Sequence, residues 1–199
     1  MKQRMSRYLI LAGPLSFAVF AIGVIIAAQH NPWWSLYRNA FSDLGGSGAN
    51  NPWIFNYTLI ASGLLFTLYS LAALASSKSR LEAFSTGLLF TAGIFLILIG
   101  VYPSGTRPHT FVSTWFYVQS YLGMSFMGLS LLLQKKVLEG SVILFLGVSA
   151  IPLGVLIHYT VGWPSVAILE LAGALFILAG SLPYTYLVIK RLGSVNIPF

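Results

Sequence analysis

The sequence predicts an all-α polytopic membrane protein: a bundle of six transmembrane helices in a single domain, 1–199, with both termini cytoplasmic. Three observations predict it. Of 199 residues, 57% are hydrophobic and only 8% are charged, against roughly 25% charged in an average soluble domain. The mean hydropathy is +0.82, and the apolar residues fall into runs that reach the about 20 residues needed for a helix to cross a bilayer. The basic residues sit at the ends of those runs and segregate by side.

The runs are 8–28, 52–75, 83–102, 109–133, 141–158 and 164–189. The first follows Lys2, Arg4 and Arg7. It continues without a small-residue cleavage site before His30, so it reads as a retained helix rather than a signal peptide. The second opens on Asn51-Pro52, a capping residue before a proline at the first helical position. Ser79 and Glu82 have the spacing of a capping box at the third. Pro108 and Pro164 punctuate the starts of the fourth and sixth, and Pro14, Pro152 and Pro183 predict kinks inside helices.

Six crossings place Lys2, Arg4, Arg7, Lys78, Arg80, Lys135, Lys136, Lys190 and Arg191 on one side and leave only Arg38 and Arg107 on the other. The positive-inside rule makes the first side cytoplasmic in a cell membrane. An odd number of helices spoils the segregation. The net charge of +7 is thus a topology signal, and no nucleic-acid partner is expected. There is no cysteine, which excludes disulfides, thiolate metal sites and a cysteine nucleophile.

The connections are short except one. The long loop 30–51 lies outside, begins aromatic with Trp33, Trp34, Leu36, Tyr37 and Phe41, and ends in Gly45-Gly46-Ser47-Gly48. A long ordered loop in a compact domain is often functional. On the same side fall His30, His109 and His158, the acids Asp43 and Glu170, and all five tryptophans. Glu82 and Glu139 fall at cytoplasmic helix starts, where a carboxylate favours the helix dipole and no further role is required.

Each outer residue has a plain and a functional reading. The tryptophans make an interfacial belt. His30 follows a helix end at the interface, and Ser42-Asp43 before Gly45-Gly46 is a turn or cap signal. His109, Ser113, Tyr117 and then Ser120 or Tyr121 form a polar stripe at helical spacing. Such a face points into a bundle, either as interhelical hydrogen bonds or as a pocket wall. Glu170 lies about 10 Å in from Pro164 at 1.5 Å per residue. A charge in hydrocarbon costs about 2.5–3.5 kcal/mol at the centre, so Glu170 needs a partner, with His158, Arg107 and Arg38 the candidates by depth. The candidate outer pocket is therefore Ser42, Asp43, Arg107, His109, Tyr117, His158 and Glu170.

The pattern Asn39, Ser42, Asp43, Leu44, Gly45, then Asn51-Pro52, Phe55-Asn56, Gly100-Val101-Tyr102-Pro103 and His109 resembles a prokaryotic, largely archaeal membrane family, the domain of unknown function numbered 998. The resemblance covers nearly the whole chain. It implies a six-helix fold and supplies no activity. Ser42, Asp43 and Gly45 also resemble an element found after the first helix in the eukaryotic Frag–DRAM–Sfk group, which would imply lipid distribution or remodelling. The three histidines match seven-helix ceramidase-like zinc hydrolases in number alone, for the paired His-x-x-x-His is missing.

Four functions are carried forward. The first is lipid binding or remodelling, with membrane lipid as partner, Arg38 and Arg107 holding a phosphate headgroup, and Asp43, His109 and Glu170 engaging its polar part. The second is an accessory subunit bound to other membrane protein subunits. The third is a metal-dependent intramembrane hydrolase with zinc on His109, His158 and Glu170 or Asp43. The fourth is haem between His109 and His158. A conduit for ions is disfavoured, because the cytoplasmic halves of the helices carry almost no ionisable residues.

Overall fold

The structure is a computed structural model and describes residues 8–193. Lys2, Arg4 and Arg7 lie outside the described residues. The described residues form six long helices: α1 Ala12–Gln29, α2 Trp53–Ala75, α3 Arg80–Val101, α4 His109–Leu133, α5 Val137–Thr160 and α6 Val166–Gly193. A 3-10 turn, η1 Phe41–Gly45, sits in the long connection between α1 and α2. All six helices are long and apolar enough to cross a membrane, and no strand occurs among the described residues.

Short connections force consecutive helices to pack antiparallel, and each helix lies against its neighbour in sequence, with α1 and α6 meeting to close the ring. The connections 30–52, 102–108 and 161–165 therefore share one end, called here the loop end. The connections 76–79 and 134–136 share the far end with the close of α6.

Lipid tails are as apolar as leucine, so membrane helices associate by close packing at small residues and by interhelical hydrogen bonds. The centre of the chain follows this rule. A Cβ on Gly128 of α4 would lie 2.3 Å from the Leu144 amide nitrogen of α5, a backbone approach that only glycine permits. Ser85 of α3 donates to the Gly123 carbonyl of α4 (2.8 Å), and Ser16 of α1 donates to the Ser62 carbonyl of α2 (2.8 Å). The tightness is uneven. Half of the apolar span of α4 is buried, but only 22% of that of α6. Space remains on both flanks of α6, and that space positions the site.

At the far end, Glu82 is fully buried. Its amide donates to Ser79 Oγ (3.1 Å), so the Ser79 cap forms. The carboxylate does far more than face a helix dipole. It accepts from Lys78 N (2.9 Å), Gln134 Nε2 (3.0 Å), Tyr184 OH (2.8 Å) and the Arg191 guanidinium. Arg191 also donates to Gln134 Oε1 (3.1 Å), and Ser79 and Ser130 share a 2.8 Å hydroxyl contact. This network binds α3, α4 and α6 together, which corrects the expectation that Glu82 has no further role.

Candidate functional site

The long connection folds inward at the loop end. Its stem is pinned by Asn31, whose Nδ2 donates to the carbonyls of Ala27 (2.9 Å) and Asn50 (3.0 Å) and whose Oδ1 accepts from Asn50 N (2.7 Å). Asn51 then takes a left-handed φ of 54°, a conformation asparagine tolerates, and turns the chain into α2. Within the loop, Asn39 Oδ1 accepts from Ser35 N (2.9 Å), and Asp43 Oδ2 accepts from Ala40 N (2.9 Å) and caps η1. Trp34 stacks on Phe41 with ring centres 5.7 Å apart and donates to the Ala40 carbonyl (2.7 Å). Phe41 and Leu44 are buried.

Three bonds fasten this plug to α6: Ser165 Oγ to the Leu36 carbonyl (2.6 Å), Ala167 N to the Asn39 carbonyl (2.8 Å), and Phe41 N to Glu170 Oε2 (2.7 Å). On the other side, Asn56 Nδ2 of α2 donates to the Gly45 carbonyl (3.1 Å). A Cβ on Gly45 would stand 2.2 Å from Asn56 Oδ1, so the last residue of the Asn39–Gly45 element has to be small for η1 to seat.

Beneath η1 lies a cavity of about 70 Å³. Its walls are mostly aromatic and aliphatic, among them Phe17 and Phe20 of α1, Phe66 of α2 and Phe116 of α4. The polar groups around it are Ser16, Ser42, Ser62, Ser113, Tyr117 and Glu170. Two of these have unused hydrogen-bonding capacity. The Ser62 hydroxyl is fully buried and has no partner. Glu170 accepts one hydrogen bond among the described residues, from the Phe41 amide to Oε2, which leaves Oε1 without a partner. Buried polar atoms are satisfied in the great majority of cases, so the Ser62 hydroxyl calls for an explanation.

The cavity is not sealed from the side. Phe17, Phe20, Phe41 and Ala174 also wall a groove of about 340 Å³ between α1 and α6, continued by apolar residues including Val24, Ile25, Leu171 and Leu178. Across Glu170, on the opposite flank of α6, a further hollow of about 270 Å³ lies between α4, α5 and α6 against Tyr117, Tyr121 and Trp163. Tyr117 holds this wall in place by donating to the Glu170 carbonyl (3.1 Å) and stacking on Tyr121.

Of the seven residues proposed from sequence, the structure brings Ser42, Tyr117 and Glu170 together around the cavity. Asp43 acts from behind, as the cap of η1. Arg107 is exposed and does not line the cavity. His109 donates from Nδ1 to the Tyr102 carbonyl (2.8 Å) and braces the connection between α3 and α4. His158 is exposed on α5 with its ring against Tyr159. The polar stripe of α4 divides accordingly: Ser113 and Tyr117 reach the cavity, and Ser120 returns its hydroxyl to the Phe116 carbonyl (2.8 Å).

His109, His158 and Glu170 do not come together as a zinc set. Among the described residues no three His, Asp or Glu side chains are placed to hold a metal ion. The physical reason is that each residue is turned to a different task, one to a carbonyl, one outward, and one to the plug. The residues that sequence reasoning missed are Ser16, Ser62 and the phenylalanine cage. A serine in an apolar run carries no signal that separates a cavity wall from an ordinary helix contact.

Comparison with known proteins names the family and nothing more. No curated protein and no solved structure matches the chain. Residues 10–183 match the family described as a protein of unknown function (DUF998). That match takes in the plug, the cavity and nearly all of the six helices, so the chain is a multi-pass membrane protein belonging to the DUF998 family.

Proposed function

We propose that this protein binds a lipid or lipid-like molecule, with the polar part in the cavity below η1 and the chain in the groove between α1 and α6. One observation carries the reading: a small cavity with unsatisfied polar atoms shares Phe17, Phe20, Phe41 and Ala174 with an apolar groove on the flank of the bundle. A water-soluble ligand has no use for a lateral apolar approach. An amphiphile in the bilayer has, because its tail never leaves an apolar medium.

The reading includes an orientation. Lys78, Arg80, Lys135, Lys136, Lys190 and Arg191 belong to the far end, whereas Arg38 and Arg107 belong to the loop end. By the positive-inside rule the far end and both termini are cytoplasmic, the membrane is the cell membrane, and the cavity opens towards the outer leaflet. The metal-hydrolase reading draws no support from the positions of the histidines. The phosphate clamp is also set aside, because neither Arg38 nor Arg107 lines the cavity or the groove.

The test is native mass spectrometry of the protein released from its own membranes in mild detergent. One lipid-like adduct per chain is expected. Replacing Ala21, an exposed residue of the groove, or Ala174 by tryptophan should displace it by filling the groove. A bare protein, or an adduct retained in both variants, overturns the reading. Recovery only as a stoichiometric complex with another membrane protein would favour the accessory-subunit role instead.

A further inference from the structure

We infer that the cavity beside Glu170 takes the terminal hydrogen-bond donor, a hydroxyl or a primary amine, of a single-chain amphiphile that carries no phosphate. The inference rests on the lipid-binding reading and names the chemical class of its ligand.

Size sets the first limit. The cavity measures about 70 Å³, whereas an engineered apolar cavity that admits benzene is about 150 Å³. A glycerol phosphodiester with two ester arms is excluded on volume. The end of one chain, a methylene or two with one small polar group, fits.

Chemistry sets the second limit. Among the described residues lining the cavity there is a carboxylate and no lysine, arginine or histidine. Glu170 has one oxygen on the Phe41 amide and the other free among the described residues. A phosphate there would face a carboxylate with no cation to offset either charge, in a medium where unpaired charge is heavily penalised. A donor meets the opposite situation. Its hydrogen satisfies the free Glu170 oxygen, and the buried, unpartnered Ser62 hydroxyl supplies a second contact within the same lining.

The groove between α1 and α6 offers the chain a continuous apolar path. Phe17, Phe20 and Phe41 wall both the cavity and the groove, so an amphiphile with its head at Glu170 leads its chain between α1 and α6. Phe41 touches the ligand path and its amide holds Glu170, so the plug and the ligand meet at one residue.

The test adds 1-hexadecanol, hexadecylamine and hexadecyl phosphate separately to the delipidated full-length protein and compares adducts by native mass spectrometry. The alcohol and the amine should each give one adduct, with the phosphate monoester retained at least about tenfold less, the size of effect expected for a hydrogen bond involving a charged group. Glu170→Gln should lower amine retention about tenfold and alcohol retention less, because the amide oxygen still accepts. Retention of the phosphate equal to the alcohol overturns the inference and leaves the lipid-binding reading standing. Absence of all three adducts overturns both. Ser62→Ala serves as a second variant if Glu170→Gln fails to fold, since the Ser62 carbonyl bonded to Ser16 is untouched. Alcohol and amine adducts undiminished in Ser62→Ala would overturn the placement of the head in this cavity.

Discussion

Glu82 and Glu170 are both carboxylates held among the helices, one at each end of the bundle, and their surroundings differ in kind. Glu82 is saturated: the Lys78 amide, Gln134, Tyr184 and the Arg191 guanidinium all donate to it. Among the described residues, Glu170 accepts from the Phe41 amide alone, and it stands beside a cavity. A saturated acid gains nothing from a ligand and locks helices together. An acid with an empty acceptor position gains from one. The comparison teaches that the depth of an acid in a membrane helix does not reveal its role. The number of donors around it does.

The largest test breaks the saturated end. Glu82→Ala leaves Arg191, Tyr184 and Gln134 without their shared acceptor, and removing one partner of a buried pair costs about 3–5 kcal/mol. Thermal or denaturant unfolding in detergent should show that loss, and a variant as stable as the parent would end the view of Glu82 as a lock.

Next in size is the seat of the plug. Gly45→Ala forces a methyl group to within 2.2 Å of Asn56 Oδ1, and overpacking of this sort costs about 1–3 kcal/mol. Hydrogen exchange should show faster opening around Phe41 and Gly46, together with weaker ligand retention, because Phe41 walls the cavity. Retention that survives a loosened plug would separate the plug from the site.

Glu170→Gln sharpens the contrast from the other side. It keeps an acceptor for the Phe41 amide, so stability should change by less than about 1 kcal/mol, even as the amine adduct falls. A loss as large as that in Glu82→Ala would make the two acids equivalent. The smallest effect belongs to Arg107→Ala. Arg107 is exposed and lines neither cavity nor groove, so the change in stability should stay within about 0.5 kcal/mol, with the adduct unchanged.

Much of the architecture was legible beforehand, for a physical reason. A bilayer admits only segments that satisfy their own backbone hydrogen bonds over the full apolar thickness, so the six helices announce themselves in the length of the apolar runs. The Asn39–Gly45 element was legible as a unit, but its use was not. Read locally, Ser42-Asp43 was a turn signal, and the structure makes Asp43 the cap of a 3-10 turn that closes a cavity. Glu170 was singled out by its cost, yet its partner is a backbone amide of the loop and none of the three basic residues matched to it by depth. The place of Glu82 at a helix start already accounts for it in the sequence, so nothing local points to the network it anchors.

By itself, then, the sequence determined the class of the protein, the number of its helices, and which of its acids and histidines demanded an account. Those are matters of composition and run length along a chain. Only the tertiary structure decided which residues meet: that Ser16 and Ser62 belong to the cavity, that His158 and Arg107 do not, and that a groove stays open between α6 and α1. Successive residues on a helix are rotated by about 100°, and apart from the polar stripe of α4 the helices carry little polarity to mark which side turns inward, so the neighbours are settled by packing.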